Sequence, residues 1–185
     1  DDLAAHPATA RHIATKLARH FVADAPPPSA VAKIEAAFTK SRGDLAKTAA
    51  AVVELDEAWG ETSGKFKTPE ELLVSAARAS GSDAAFGRDQ RMAYQTLAQR
   101  PFSAPSPAGW PDDTVSWSGS DAVMKRLEWA NAASTRMMRG VSPTDFLDTA
   151  LGPLASEGTR KAVARAESAG QGFTLALMSP EFQRR

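Results

Sequence analysis

Three aromatic side chains, Phe102, Trp110 and Trp117, share residues 100–119 with two adjacent carboxylates, Asp112 and Asp113. An indole offers a flat apolar face and one N–H donor, which suits stacking on a sugar ring or anchoring a protein partner. The competing role is architectural, because a loop without ladder hydrogen bonds needs side-chain packing to stay ordered. The aspartate pair allows three chemistries. It could join a calcium site, but calcium wants 6–8 oxygen ligands and no spaced acidic loop accompanies it. It could supply the acid or base of a glycosidase, which needs two carboxyl groups roughly 5–10 Å apart across the bond. It could simply form a turn by capping nearby N–H groups, and that reading fits two neighbouring aspartates best.

Elsewhere the signals are weaker. His6, His12 and His20 lie in or beside one helix, but their separations of six and eight residues miss the i, i+4 spacing of a helix-borne zinc pair. Arg11, Lys16 and Arg19 share that helix's polar face and read as a solvated surface. Lys65 and Lys67 precede the Thr68-Pro69 helix start, a generic place for an anion, although Glu70 and Glu71 already complement that dipole. The pairs Glu70/Glu71 and Asp56/Glu57 are neighbours in sequence, so on a helix they do not face each other as an acid and base must. No nucleophile elbow, phosphate loop, dinucleotide fingerprint or H-E-x-x-H string occurs. With no cysteine as well, no catalytic residue, no metal site and no cofactor is expected.

The elements that must hold these residues are helical. Alanine occurs 37 times in 185 residues, whereas Ile and Val together occur 11 times, the balance of a helix former over strand formers. An all-α, irregular bundle of about eight to nine helices is predicted, forming one domain over residues 1–185 with one long Pro/Trp-rich loop. Twenty-two basic and 22 acidic residues leave no net charge, which argues against a nucleic-acid binder. No apolar run is long enough to span a membrane. Asp1-Asp2-Leu3 has neither the basic start nor the apolar run of a signal peptide.

Punctuation sets the helices. His6-Pro7 opens the first, with Ala10, Ile13, Ala14, Leu17, Ala18 and Phe21 on one stripe, and Pro26-Pro27-Pro28 ends it. Ser29 is expected to cap the second, Gly43 to stop it and Asp44 to cap the third, whose stripe is Leu45, Ala49, Val52 and Val53 with Trp59 at its end. Thr68-Pro69-Glu70-Glu71 is a capping box, and Gly81 closes its helix. A weaker run follows from Phe86 to Gln99. Prolines 101, 105, 107 and 111 exclude a helix over 100–119. Helix returns at Ser120-Asp121 with Val123, Leu127, Ala130 and Ser134 facing inward, and Asn131 beside that stripe would need hydrogen-bond partners. Ser142-Pro143 caps a short helix, Glu157 to Ser168 forms a charged one, and Phe173 to Met178 precedes a last turn at Ser179-Pro180-Glu181.

Specific strings carry a resemblance. They are His6-Pro7-Ala8-Thr9-Ala10, Lys16-Leu17, Phe21-Val22, Gly43-Asp44-Leu45 and Lys67-Thr68-Pro69-Glu70. Gln99, Pro101, Pro107-Ala108-Gly109-Trp110-Pro111, Trp117, Leu127, Asn131 and Ser179-Pro180-Glu181-Phe182-Gln183 continue it in order. The chain resembles the C-terminal part of the bacterial family catalogued as domain of unknown function 1800, departing at Gly119-Ser120, where members are more apolar. The resemblance implies a longer protein with an upstream helical portion as this region's partner, and export from a bacterium. It carries over no catalytic residue. The function expected is a non-catalytic binding region that presents Phe102, Trp110, Trp117, Asp112 and Asp113 to a protein or a glycan. The alternative is the C-terminal half of an extracellular hydrolase or carbohydrate-active enzyme whose main catalytic residues lie upstream.

Overall fold

A computed structural model describes residues 2–60, 64–81, 90–137 and 140–185. Over these residues the fold is all-α, with eleven α-helices, 3-10 turns and no strand; one isolated antiparallel bridge pairs Phe66 with Arg184. No helix among them is long and apolar enough to cross a membrane. Contacts divide the chain into two compact units, Asp1–Lys65 and Phe66–Arg185.

The first unit contains α1 (Asp2–Ala5), α2 (Pro7–Phe21), α3 (Pro28–Lys40), α4 (Leu45–Val53) and a 3-10 turn at Asp56–Trp59. His6 caps α2, its Nδ1 accepting the Ala8 N–H at 3.1 Å. Ala14 and Ala18 let α2 approach Ala30, Val31 and Ile34 of α3 closely, and Val52 and Leu55 complete the core. Three sequence expectations are corrected. Phe21, expected on the apolar stripe of α2, is exposed. Ser29 is not the cap of α3; Pro27 holds that place, and the Ser29 hydroxyl donates to Glu57 Oε1 at 2.9 Å. In α4, Leu45, Ala49 and Val53 are exposed, and Thr48 takes the buried position beside Val52 because its hydroxyl donates to the Asp44 carbonyl at 2.7 Å.

The second unit contains α5 (Pro69–Ser80), α6 (Gln90–Thr96), α7 (Thr114–Ser118), α8 (Ser120–Met137), α9 (Pro143–Leu151), α10 (Glu157–Ala164) and α11 (Ala169–Met178). The run expected from Phe86 is described only from residue 90 onward. The Thr68 capping box forms as expected, and Gly81 ends α5 in the left-handed conformation, where a side chain would be strained. Phe146 sits at the centre of the core, its ring 5.5 Å from Phe173 and 5.8 Å from Phe182. Leu72, Leu73, Trp129, Ala130, Ala133 and Leu177 surround this trio.

The inward face of α8 differs from the expected one. Arg126, Trp129, Ala130, Ala133 and Ser134 are buried, whereas Leu127 and Asn131 are exposed. The helix is therefore turned so that an arginine, rather than an asparagine, is the polar group needing partners inside. A helix inside the proline-rich stretch, at Thr114–Ser118, also departs from the expectation that the prolines exclude one over 100–119. Residues 114–118 form α7 because the Asp113 carboxylate accepts both the backbone N–H and the hydroxyl of Ser116, at 2.8 and 3.0 Å.

Candidate functional site

The loop residues divide into separate roles. Trp117 is buried and its Nε1–H donates to the Pro111 carbonyl at 2.9 Å, while the half-buried Trp110 lies against it with ring centroids 6.0 Å apart. The two indoles thus close residues 110–117 on themselves. Asp113 is the cap of α7, and Asp112 forms an ion pair with Arg185 at 3.4 Å, so the two carboxylates serve different partners. Phe102 belongs to neither group. It is wholly exposed at 108%, stands on a backbone with φ of 57°, and borders a depression of about 510 Å³ with Arg91, Tyr94 and Arg100.

A larger cleft of about 710 Å³ lies along α5, lined by Lys67, Glu70, Ser75, Arg78, Thr149 and Phe182 among others. Its floor is set by the segment that follows α11. The Ser179 hydroxyl accepts the Phe182 N–H and turns the chain, so that the Gln183 carbonyl accepts the Lys67 N–H at 2.8 Å. Arg126, 1% exposed, locks this pairing from beneath. Its guanidinium donates to Gln183 Oε1 at 2.8 Å and to the Lys67 carbonyl at 2.5 Å, and it lies 4.4 Å from the Phe66 ring centroid. Gln183 is satisfied on its other side by donating Nε2–H to the Leu177 carbonyl at 2.6 Å. Burial pulls Arg126 down to about 10, with Glu71 partly opposing, so it stays charged at neutral pH.

The start of α5 is not an anion site, contrary to one possibility its sequence raised. Thr68 N–H donates to Glu71 Oε2 at 2.8 Å, Glu70 N–H to Gln99 Oε1 at 2.8 Å and Glu71 N–H to the Thr68 hydroxyl at 3.3 Å. Its donors are already occupied. Lys65 is likewise engaged: its buried amine donates to the Arg19 carbonyl at 2.7 Å and pairs with Asp24 at 3.0 Å.

Lys67 differs from Lys65. Its amine sits 4.3 Å from the Phe182 ring centroid and faces the cleft. Burial pushes it down to about 8, the Glu71 carboxylate opposing the shift and the Arg126 charge reinforcing it. The unfolded chain holds this proton up to the ordinary 10.5, so between pH 8 and 10.5 unfolding takes up a proton and stability rises with pH. Below pH 8 both states are charged and the folded one bears the full burial penalty. Lys67→Met, which removes the charge, is therefore expected to be more stable than the parent at pH 7, with the difference shrinking by pH 10. Urea midpoints of the two proteins across that range measure it; a constant difference would show an amine that is not held low.

Sequence reasoning assigns no role to Arg126, Gln183 or Arg185 and a different one to Lys67. A signal for Arg126 was present, since it lies three and four residues before Trp129 and Ala130 on the same helical face. Nothing local marked Gln183 or Arg185. Among the described residues no group of three or more His, Asp or Glu could hold a metal ion. No curated protein and no solved structure gives a significant match. Residues 1–184 match the family described as protein of unknown function (DUF1800), which covers nearly the whole chain in agreement with the string-by-string resemblance. The chain belongs to the DUF1800 family.

Proposed function

We propose that the chain is a non-catalytic interaction region of an exported bacterial protein, and that Phe102 is its contact residue toward a protein partner. One observation carries this reading: an aromatic side chain is fully exposed on a turn at the rim of a depression lined by Arg91, Tyr94 and Arg100. Flexible exposed aromatics are common, but here the Ser103 N–H donates to the Arg100 carbonyl at 3.3 Å and turns the backbone that presents Phe102, which lowers the cost of ordering it on binding. Arg91 and Arg100 flank the adjoining depression, which favours a partner surface with an apolar pocket and an acidic rim. The upstream portion implied by the family resemblance is the first candidate. The hydrolase alternative, whose main catalytic residues lie upstream, draws no support from the loop carboxylates, because Asp113 caps a helix and Asp112 is paired with Arg185.

Placing a photo-reactive phenylalanine analogue at position 102 of the full-length protein, in its native cell, tests the reading. A crosslink to one discrete peptide, either in the upstream portion of the same protein or in a second polypeptide, is expected, absent when the analogue replaces Val115, which is also exposed. Equal labelling from both positions would overturn it. Phe102→Ala should weaken the captured interaction about tenfold or more and leave the melting temperature within about 1 °C.

A further inference from the structure

Nothing in the interaction reading uses the α5 cleft, and its most unusual occupant is an amine. Lys67 is held from both sides of its backbone: its N–H donates to Gln183 and its carbonyl accepts from Arg126. The side chain consequently leaves a fixed point and lies along the Phe182 ring into the cleft. Lysines buried for structural reasons are usually paired, as Lys65 is with Asp24. Lys67 has instead an aromatic face, with no carboxylate in ion-pair contact among the described residues. The charged and titratable groups around it are Glu70, Glu71 and Arg78 on α5, Arg126 on α8 and Arg185 of the final segment. Glu71 is itself engaged by Thr68 N–H and by Arg185 Nε at 2.8 Å, so it does not close over the amine. Apolar wall is supplied by Val74, Ala79 and Ala150, and hydroxyls by Ser75 and Thr149.

We propose that this cleft takes a small aldehyde or ketone and that the Lys67 amine binds it covalently as a Schiff base. The neutral amine adds its lone pair to the carbonyl carbon, and one N–H proton passes to the carbonyl oxygen to give a carbinolamine. Loss of water then removes that oxygen with the second N–H proton and leaves a C=N bond; no electrons are gained or lost. The reaction needs an unprotonated nitrogen. With Lys67 held near 8, roughly a quarter of the molecules present one at pH 7.5, against about one in a thousand for an ordinary lysine. The apolar wall of Val74, Ala79 and Ala150 favours a ligand with a short hydrocarbon body beside its carbonyl.

Reductive trapping tests this directly. The protein is treated with propanal and cyanoborohydride at pH 7.5, and each lysine's alkylation rate is read by peptide mass spectrometry. Lys67 is expected to react about tenfold or more faster than the exposed Lys40 and Lys47, with a rate that rises through a midpoint near pH 8. The preference should vanish in denaturant, and the Lys67→Arg protein should show no fast site while Lys40 and Lys47 react as before. If folded Lys67 reacts no faster than those two, the proposal is wrong, whatever position 102 binds.

Discussion

Arg126→Ala is expected to lower the stability of residues 66–185 by about 3–5 kcal/mol. Arg126 is a charged side chain with 1% exposure whose two donor bonds join α8 to two segments remote in sequence. Truncation leaves Gln183 Oε1 and the Lys67 carbonyl without their donor, and opens a void under Phe66. Unmade buried bonds cost more than made ones contribute, so the loss exceeds the net worth of the two contacts. Arg126→Lys keeps the charge but offers no planar fork to reach both acceptors, and should fall between. Urea denaturation of the three proteins measures this. A change under 1 kcal/mol for alanine would mean that water or a neighbour replaces the guanidinium, and that Arg126 is not what ties the segments together.

The second large effect is expected from Gly172, in α11. A Cβ built there would lie 2.8 Å from Pro143 Cβ and 2.9 Å from its Cγ. The neighbour is a proline ring at the start of α9, which cannot swing away as a long side chain would. Gly172→Ala would gain about 1 kcal/mol of helix propensity in isolation, yet overpacking costs about 1–3 kcal/mol, so a net loss is expected. Gly172→Val should lose more, by about 2 kcal/mol or above, because its branches push α11 from α9 beside Phe146 and Phe173. Melting curves of the two variants decide it: a stabilised alanine variant would show that the helices have room to part.

Helix starts and stops were the most legible part of the fold. Asp44, Thr68, Ser142 and Gly81 act where local chemistry places them, because a cap depends only on residues within a turn of itself. The interior of α8 was less legible. Counting arginine as polar turns the helix outward at position 126, whereas its acceptors come from residues 67 and 183, which no local pattern reveals. Likewise the prolines of the loop spoke against a helix, but the short α7 begins just beyond the last of them. Among the candidate residues, Trp110 and Trp117 do meet, while Phe102 and the two aspartates go separate ways. Positions along a loop do not say which side chains turn together.

The bridge between Phe66 and Arg184 has a consequence for biogenesis. It joins the first residue of its unit to the last but one, a closure across nearly the whole unit. During synthesis the helices from α5 to α11 can assemble as they emerge, but the latch waits for Gln183 to clear the ribosome's exit channel. A nascent chain stalled just short of that point would leave Arg126 with the Lys67 carbonyl but without Gln183 and remain open to proteases, whereas a few residues more would let it shut.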